Sequence, residues 1–180
     1  PQADLLVGCA LSGRASPDST ARHPSRYRNL SLWHESAPDD WTPRAALPGD
    51  RDVDVAIVAV PAESVPDVVL DCAAKGVHGL IVISSGFAEI GEEGRQRQRR
   101  LVGLSRSYGL RLIGPNCLGV INTDPTVNLN ASLSPLKPAR GRAGFFCQSG
   151  ALGSAILEKV NNRGLGLSTF VSAGNRADVS

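Results

Sequence analysis

From residue 52 onward, short apolar runs alternate with longer amphipathic stretches. The run over 53–60 is almost continuously apolar, which is typical of a strand buried on both faces of a parallel sheet. Pro61 ends this run. A helix follows, with Ser64 as its predicted N-cap, and it is predicted to run to about Lys75, just before a glycine.

Two further strands continue the same arrangement. They are predicted over 79–84 and 110–114, and a polar, arginine-rich helix over about 92–108 lies between them. Each crossover is long enough for parallel pairing, so the β-α-β-α-β order predicts a doubly wound α/β sheet. In such sheets, ligands bind beyond the carboxyl ends of the strands. The loops predicted at those ends are 61–65, 84–90 and 115–120.

The last third of the chain repeats this pattern. A strand over 143–147, a helix over about 151–161 and a strand over 165–171 form one more β-α-β unit. Residues 122–140 are rich in Asn, Pro and Ser, and are interpreted as a linker or covering loop. One β-α-β unit cannot bury both faces of its sheet. The second domain is therefore expected to be truncated or to lean on the first.

The first fifty residues lack such periodicity. One short strand is predicted within residues 4–11, while residues 12–50 show no regular apolar pattern. His23 and His34 fall in this segment without acidic or cysteine neighbours at metal-ligand spacing, so no function is assigned to them. The chain begins at Pro1 and contains no Met, which indicates a fragment, a processed chain or a trimmed one.

Composition narrows the possible functions. The chain has 19 basic and 17 acidic residues, a net charge of +2, which is not the basic footprint of a dedicated nucleic-acid-binding protein. No run approaches the roughly 18 apolar residues of a membrane span, and no secretory start is present. The four cysteines lack CxxC spacing. Reduced thiols in a cytoplasmic protein are therefore expected, rather than a metal or redox site.

The most suggestive local chemistry lies at residues 148–150, Gln-Ser-Gly, between a predicted strand and a predicted helix. The N–H groups at a helix start favour an anion, and Ser149 adds a hydroxyl donor, so one interpretation is a phosphate or phospho-residue site. The other is an ordinary helix start with Ser149 as its N-cap. A serine nucleophile is disfavoured, because residues 146–147 lack the glycine of the GxSxG elbow.

Two more side chains in the ligand-side loops bear on function. Cys117 follows a strand end; a nucleophile is one interpretation, and a packing or pocket-lining role is the favoured one. Glu89 lies in the loop after the second predicted strand, which makes it a candidate binding residue. No GxGxxG motif occurs, which argues against a nicotinamide dinucleotide site.

Five segments occur in a distinctive order: DVAIVAVPAE at 54–63, SSGFAE at 84–89, GPNCLG at 114–119, QSGALG at 148–153 and SAGNRAD at 172–178. Together they resemble the NDP-forming acyl-CoA synthetases, which are the ADP-forming acetate–CoA ligase relatives of the succinyl-CoA synthetase alpha subunit. Each segment is weak alone. Their shared order over about residues 52–180 makes the resemblance specific.

The resemblance implies a Rossmann-like CoA-binding domain, with its N-terminal strand missing, followed by the start of a flavodoxin-like succinyl-CoA-ligase domain. The implied divisions are an irregular N-terminal segment with a remnant of the CoA-binding domain, the CoA-binding domain, a linker and the truncated ligase domain, at 1–51, 52–125, 126–141 and 142–180. The residues implied to line the CoA site are Val60, Pro61, Ser85, Gly86, Phe87, Glu89, Asn116 and Cys117. Those implied to hold the phosphoryl group of a phosphohistidine are Ser149 and Gly150.

The family's reaction runs reversibly from acyl-CoA and phosphate through acyl phosphate and a phosphohistidine to NTP. The resemblance therefore implies that the full-length protein is an ADP-forming acid–CoA ligase. CoA and a small carboxylic acid or acyl-CoA are the implied substrates, while ADP or ATP with Mg²⁺ is expected at an ATP-grasp domain or beta subunit. The phosphorylated histidine is expected beyond Ser180. This chain alone is thus expected to be inactive and to bind CoA weakly, with no metal site and no nucleic-acid or membrane partner.

A second interpretation is a CoA-binding regulatory module of the kind fused to GNAT protein acetyltransferases. There, the ligase-like part can lose its histidine and act as a sensor. A histidine motif with an ATP-grasp region would mark the ligase, and an attached GNAT domain would mark the regulatory module. A stand-alone CoA-binding protein is disfavoured by the second β-α-β unit.

Overall fold

The computed structural model describes residues 53–179 in full, together with the backbone of two short strands, Leu5–Cys9 and Leu30–Trp33. The two histidines considered above in the N-terminal segment, His23 and His34, lie outside the described residues.

Five parallel strands form the first sheet, in the order β2-β1-β3-β4-β5. This is the 2-1-3-4-5 order found in doubly wound proteins, so the predicted α/β class is confirmed. The strands are β1 Leu5–Cys9, β2 Leu30–Trp33, β3 Val55–Ala59, β4 Gly79–Val82 and β5 Arg111–Ile113.

The N-terminal side of this sheet differs from the prediction. β2 lies within residues 12–50, where no strand is predicted, because a four-residue run does not stand out among Ser, Pro and Arg. β1 pairs with both β2 and β3. It therefore takes the position of a first strand in the 2-1-3-4-5 order, whereas the resemblance implied that the N-terminal strand is missing.

Two helices connect the later strands of this sheet. Gly76 follows the first of them as predicted; its φ of 83° is left-handed, and its N–H bonds the last carbonyls of the helix. Ser64 precedes that helix as predicted, but its backbone is already helical and its side chain makes no cap hydrogen bond. A single 3-10 turn lies before the second helix. The bounds are α1 Val65–Lys75, the turn Ala88–Ile90 and α2 Glu92–Ser107.

The second sheet has the strand order β7-β6-β9-β8. β8 and β9 pair in parallel on either side of a helix, which is the predicted second β-α-β unit. β6 is antiparallel to both β7 and β9. The elements are β6 Gly119–Asn122, β7 Leu129–Ser132, β8 Ala139–Cys147, α3 Gly150–Asn162 and β9 Gly166–Ser172.

The interpretation of 122–140, and of 126–141, as a linker is wrong in one respect, because the segment contains β7 and the start of β8. β7 was missed because it is short and polar. Its Asn130 is buried and accepts a hydrogen bond of 2.6 Å from the Ser132 hydroxyl. A buried polar residue whose partner lies in the same strand leaves no apolar alternation to detect.

The two faces of the first sheet are covered differently. One face packs against α1 and α2, where Val58 and Val69 are fully buried. On the other face, Ile57 and Ile81 pack with Ala131 of β7. The second sheet therefore packs against the first. This is one of the two alternatives that the sequence predicts for the second domain. Within the described part of the chain, no helix has the length and apolar character that crossing a bilayer requires.

Residues 173–179, which follow β9, are called the return segment here, because they run back along the edge of the first sheet. The N–H groups of three alternate residues donate to carbonyls whose residue numbers fall as the donor numbers rise, so the segment runs antiparallel beside β5 and the loop after it. The three bonds are Asn175 to Pro115 at 2.9 Å, Ala177 to Gly114 at 3.0 Å and Val179 to Leu112 at 3.3 Å.

Candidate functional site

The carboxyl ends of β3 and β4 are held together by one buried hydroxyl. The Val60 N–H donates to Ser84 Oγ at 3.1 Å, and the same hydroxyl donates to the Val60 carbonyl at 2.6 Å. Val60 is itself buried, whereas Pro61 beside it is exposed. The two loops that leave these strands therefore start from fixed points. Ser84 is a supporting residue that was not among the predicted site residues.

The loop at 85–89, called the β4 loop here, is shaped by Glu89. Its Oε1 accepts hydrogen bonds from the backbone N–H groups of Gly86 at 2.5 Å and Phe87 at 3.1 Å. Gly86 has a φ of 98°, and a Cβ at that position would lie 2.9 Å from Ala62 Cβ, so only glycine fits. Arg97 Nη1 donates to the Gly86 carbonyl at 2.5 Å. The N–H and the carbonyl of Gly86 are thus both hydrogen-bonded to side chains of this protein, those of Glu89 and Arg97.

The predicted CoA-site residues divide into exposed and buried groups. Pro61, Ser85, Glu89 and Asn116 are exposed at this edge. Val60, Phe87 and Cys117 are buried, and Phe87 is a fully enclosed member of the core between the first sheet and its helices. The Phe87 side chain therefore serves packing, and only its backbone belongs to the β4 loop surface.

The loop at 114–118, called the β5 loop here, lies against the end of β4. The Asn116 N–H donates to the Ser84 carbonyl at 2.9 Å, and Asn116 adopts a left-handed φ of 57°. Gly114 has a φ of 101°, and a Cβ there would lie 2.3 Å from the Val82 carbonyl oxygen, so this approach requires glycine. The β4 and β5 loops therefore share one edge, as the strand order predicts.

Cys117 is a packing residue rather than a nucleophile. Its thiol is buried between the two sheets and lies 3.3 Å from the Val82 carbonyl oxygen. Burial raises the pKa of the Cys117 thiol to about 12. Because the thiolate is the reactive form, a thiol of this kind is inert near neutral pH. This environment suits a packing role, one of the two roles favoured from the sequence, and the pocket-lining role stays a prediction.

Asn175 of the return segment joins these loops. Its Nδ2 donates to Glu89 Oε2 at 2.5 Å and to Gln98 Oε1 at 3.0 Å. Burial alone would raise the pKa of Glu89, but the hydrogen bonds from Asn175, Phe87 and Gly86 outweigh it and lower the pKa. Asn175 belongs to the segment SAGNRAD but has no predicted role, because nothing in the sequence spacing shows that residue 175 contacts residue 89.

Ser149 and Gly150 form the start of α3 at the carboxyl end of β8. The Ser149 side chain accepts a hydrogen bond from the Leu152 N–H at 3.2 Å, so the interpretation of Ser149 as an N-cap is confirmed. The hydroxyl proton of Ser149 is not used in that bond, and Gly150 and Ala151 contribute the first N–H groups of the helix. An anion-binding role is compatible with the cap, since both use the same helix start.

The end of β9 and the start of the return segment connect the end of β8 to the β5 loop. The Ala173 N–H donates to the Cys147 carbonyl at 2.8 Å, two residues before Ser149, and the Leu118 N–H donates to Ser172 Oγ at 3.2 Å. Arg176 lies over the exposed ring of Phe146, 5.8 Å from its centroid. The carboxyl ends of the parallel strands in the two sheets therefore meet at one place.

Other chemistry is sparse in the described part of the chain. His78 lies at the amino ends of the strands of the first sheet, away from these loops. Its N–H donates to the Asp54 carbonyl at 3.2 Å. Among the described residues, no three His, Cys, Asp or Glu side chains are grouped as a metal site would require.

Comparison with known proteins identifies both halves of this arrangement. A family model described as a CoA binding domain matches residues 36–123, and one described as a succinyl-CoA ligase like flavodoxin domain matches residues 140–180. The alpha subunit of acetate–CoA ligase (ADP-forming) II from Pyrococcus furiosus is 43% identical over 133 residues. Acetate–CoA ligase (ADP-forming) I from Archaeoglobus fulgidus is 48% identical over 127 residues.

The chain belongs to the NDP-forming acyl-CoA synthetase family. It spans 28% of the length of the Pyrococcus synthetase subunit and 18% of the Archaeoglobus synthetase, and these matches cover 74% and 71% of the chain. A solved structure is similar over 97% of the chain and 39% of its own length, with a TM-score of 0.73 and 28% identity. That structure is a dinucleotide-forming acetyl-coenzyme A synthetase 1 from Ca. Korarchaeum cryptofilum, in complex with phosphate and ADP. The predicted family and the predicted succession of a Rossmann-like and a flavodoxin-like part are thereby confirmed.

Proposed function

We propose that the chain provides the CoA site and the phosphoryl-binding helix of an ADP-forming acid–CoA ligase. The whole protein would interconvert acyl-CoA, ADP and phosphate with carboxylic acid, CoA and ATP. The observation that carries this proposal is the junction of the carboxyl ends of the two sheets, where the return segment bonds the β4 and β5 loops and also the end of β8, two residues before Ser149. A thioester and a phosphate must meet for acyl phosphate to form, and this junction brings two suitable surfaces together.

In this proposal each surface has its own ligand. The exposed residues of the loops after β3, β4 and β5, namely Pro61, Ser85 and Asn116, receive the extended CoA molecule. The start of α3 at Ser149 and Gly150 receives the phosphoryl group, because its free N–H groups and the positive end of the helix dipole stabilise negative charge. The Ser149 hydroxyl adds a donor there while its oxygen still caps the helix.

The proposal assigns the remaining parts of the reaction to other parts of the complete protein. We propose that ADP or ATP with Mg²⁺ binds an ATP-grasp domain or beta subunit, that the phosphorylated histidine follows this chain, and that the protein works in the cytoplasm. The Pyrococcus relative is named as an alpha subunit, which supports a further subunit. Relatives at 43% and 48% identity are named as ligases, which favours this proposal over a GNAT-fused regulatory module.

The test is ATP synthesis by the complete protein that contains this chain. It would be given ADP, phosphate, Mg²⁺ and a panel of small acyl-CoA thioesters, with acetyl-CoA first. We expect ATP formation, and an acid-labile phosphoprotein when ATP alone is supplied. CoA binding without either product would overturn the ligase and favour the regulatory module. Failure to bind CoA would overturn both.

A further inference from the structure

Both oxygens of the Glu89 carboxylate accept hydrogen bonds from groups of its own chain. Oε1 accepts from the two N–H groups of Gly86 and Phe87, and Oε2 accepts from Asn175 Nδ2. A carboxylate with both oxygens bonded in this way determines the course of the β4 loop. Although Glu89 was predicted to contact CoA, its contacts suit it better to shaping the surface that CoA meets.

Asn175 is held equally firmly on the other side. Its N–H donates to the Pro115 carbonyl at 2.9 Å, and its Nδ2 also donates to Gln98 of α2 at 3.0 Å. The residue before it, Gly174, lies so close to the β5 loop that a Cβ would be 2.3 Å from the carbonyl oxygens of Pro115 and Asn116. Asn175 therefore approaches Glu89 from a backbone that is itself fixed against the β5 loop.

On the basis of the proposed function, we propose that Glu89 and Asn175 are a pair of positioning residues for CoA. Their hydrogen bond holds the β4 loop against the β5 loop in the shape that receives the thioester. They act through the loops and not on the reacting atoms. The shape of the CoA site therefore depends on the return segment, which follows β9, a strand of the second sheet.

The direction of this hydrogen bond provides a specific test. Glu89→Gln places an amide donor opposite the Asn175 donor, and Asn175→Asp places two carboxylates opposite each other. Either change removes a bond between a charged acceptor and an amide, which weakens binding by about ten-fold. Between residues 89 and 175, the double variant Glu89→Gln/Asn175→Asp again sets one donor against one acceptor, with the direction reversed. It does not restore the bond from Asn175 to Gln98.

The experiment measures the CoA dissociation constant by calorimetry, and KM and kcat for CoA, in the complete protein and these three variants. We expect each single variant to raise the dissociation constant and KM about ten-fold with kcat almost unchanged. We expect the double variant to lose clearly less than the sum of the two single losses, since it restores the bond between residues 89 and 175 but not the one to Gln98. The matched control is Glu92→Gln, three residues further on, whose carboxylate bonds only the surface groups of Arg95 and Arg99 among the described residues.

Three results would overturn the pairing: single variants that bind CoA like the parent, a double variant whose loss equals the sum of the two singles, or a fall in kcat with KM unchanged. Melting temperatures identify variants that fail to fold, and Asn175→Ala then replaces Asn175→Asp, because it removes the donor without adding a second carboxylate. A parent protein that does not bind CoA would remove the proposed function itself. If the parent binds CoA and the variants bind it equally well, only the positioning role of Glu89 and Asn175 would be overturned.

Discussion

Asp178 accepts two hydrogen bonds from the guanidinium group of Arg106, at 2.9 Å from Nε and 2.7 Å from Nη2. Its other oxygen accepts from Arg111 Nε at 2.8 Å and from the Leu112 N–H at 3.1 Å. The Asp178 side chain is only 1% exposed, although both arginines are largely exposed. One carboxylate therefore ties the return segment to α2 and to β5.

The first prediction concerns the pH dependence of stability. Burial alone raises the pKa of Asp178, but the bonds from Arg111, Leu112 and Arg106 outweigh it and lower the pKa below its usual range. A carboxyl whose pKa is lowered on folding stabilises the protein above its unfolded pKa, and this contribution disappears as the pH falls through the folded pKa. We expect Asp178→Asn to cost about 1–3 kcal/mol at pH 7.

The measurement is denaturant unfolding of parent and variant between pH 7 and pH 3. The difference in unfolding free energy between them should start to shrink as the pH falls below about 4, where the carboxyl of the unfolded chain takes up its proton. It should keep shrinking until the folded carboxylate is protonated at lower pH. Glu89, Glu92 and Asp124 also have lowered pKa values. They are common to both proteins and cancel in the difference. A difference that stays constant over this range would contradict the assignment to Asp178.

The second prediction separates the two roles of Ser149. Ser149→Ala removes the cap and should cost about 1 kcal/mol of stability, whereas Ser149→Asp keeps a capping oxygen and should stay close to the parent. Phosphate affinity should follow a different order, because a carboxylate repels an anion. We expect Ser149→Asp to weaken phosphate binding more than Ser149→Ala does, by ten-fold or more.

KM for phosphate and melting temperature, measured on the same variants, check this prediction. Ser154→Ala is the control, since Ser154 lies exposed on the same helix and bonds only the Gly150 carbonyl among the described groups. If phosphate affinity simply followed stability, with Ser149→Asp like the parent, Ser149 would be a cap and nothing more.

The third prediction concerns how closely α3 packs on its sheet. A Cβ at Gly153 would lie 2.9 Å from Phe170 Cζ and 3.1 Å from Cys147 Sγ. Gly153→Ala gains about 1 kcal/mol in helix propensity but costs about 1–3 kcal/mol in overpacking, so we expect net destabilisation.

Gly103→Ala in α2 is the matched control for this change, because nothing lies within 4 Å of the added Cβ. It should stabilise the protein by up to about 1 kcal/mol. Thermal unfolding should show stability changes of opposite sign, a loss for Gly153→Ala and a gain for Gly103→Ala. Stabilisation by both would show that α3 sits further from Phe170.

The fourth prediction concerns thiol reactivity. Burial raises the pKa of both Cys72 and Cys117 to about 12, with Asp71 adding to the effect at Cys72. At pH 8 their thiolate fraction is then about a thousand-fold below that of an ordinary cysteine. Iodoacetamide should label the peptides that carry these residues only after unfolding, as mass spectrometry would show. Rapid labelling of Cys117 in the folded protein would contradict its packing role.

The elements that could be predicted from the sequence are those with a clear pattern of apolar residues. The runs at β3 and β4 are buried on both faces, and α1 ends at a glycine, so periodicity and punctuation identified them. β2 and β7 were missed because short or polar strands are defined by the sheet that receives them. For the site, the helix start at Ser149 was local and was found. The bond between Glu89 and Asn175 spans 86 residues, and no local pattern encodes such a distance.

The return segment changes what counts as an independently folding part. β5 obtains its antiparallel neighbour from residues about 60 positions later, and Ile57 and Ile81 are covered by Ala131. Cutting the gene between the two family regions would leave an open sheet edge and an uncovered apolar face on the first piece. The two regions match separate family models, yet they should melt in a single calorimetric transition, because the first has an incomplete surface without the second.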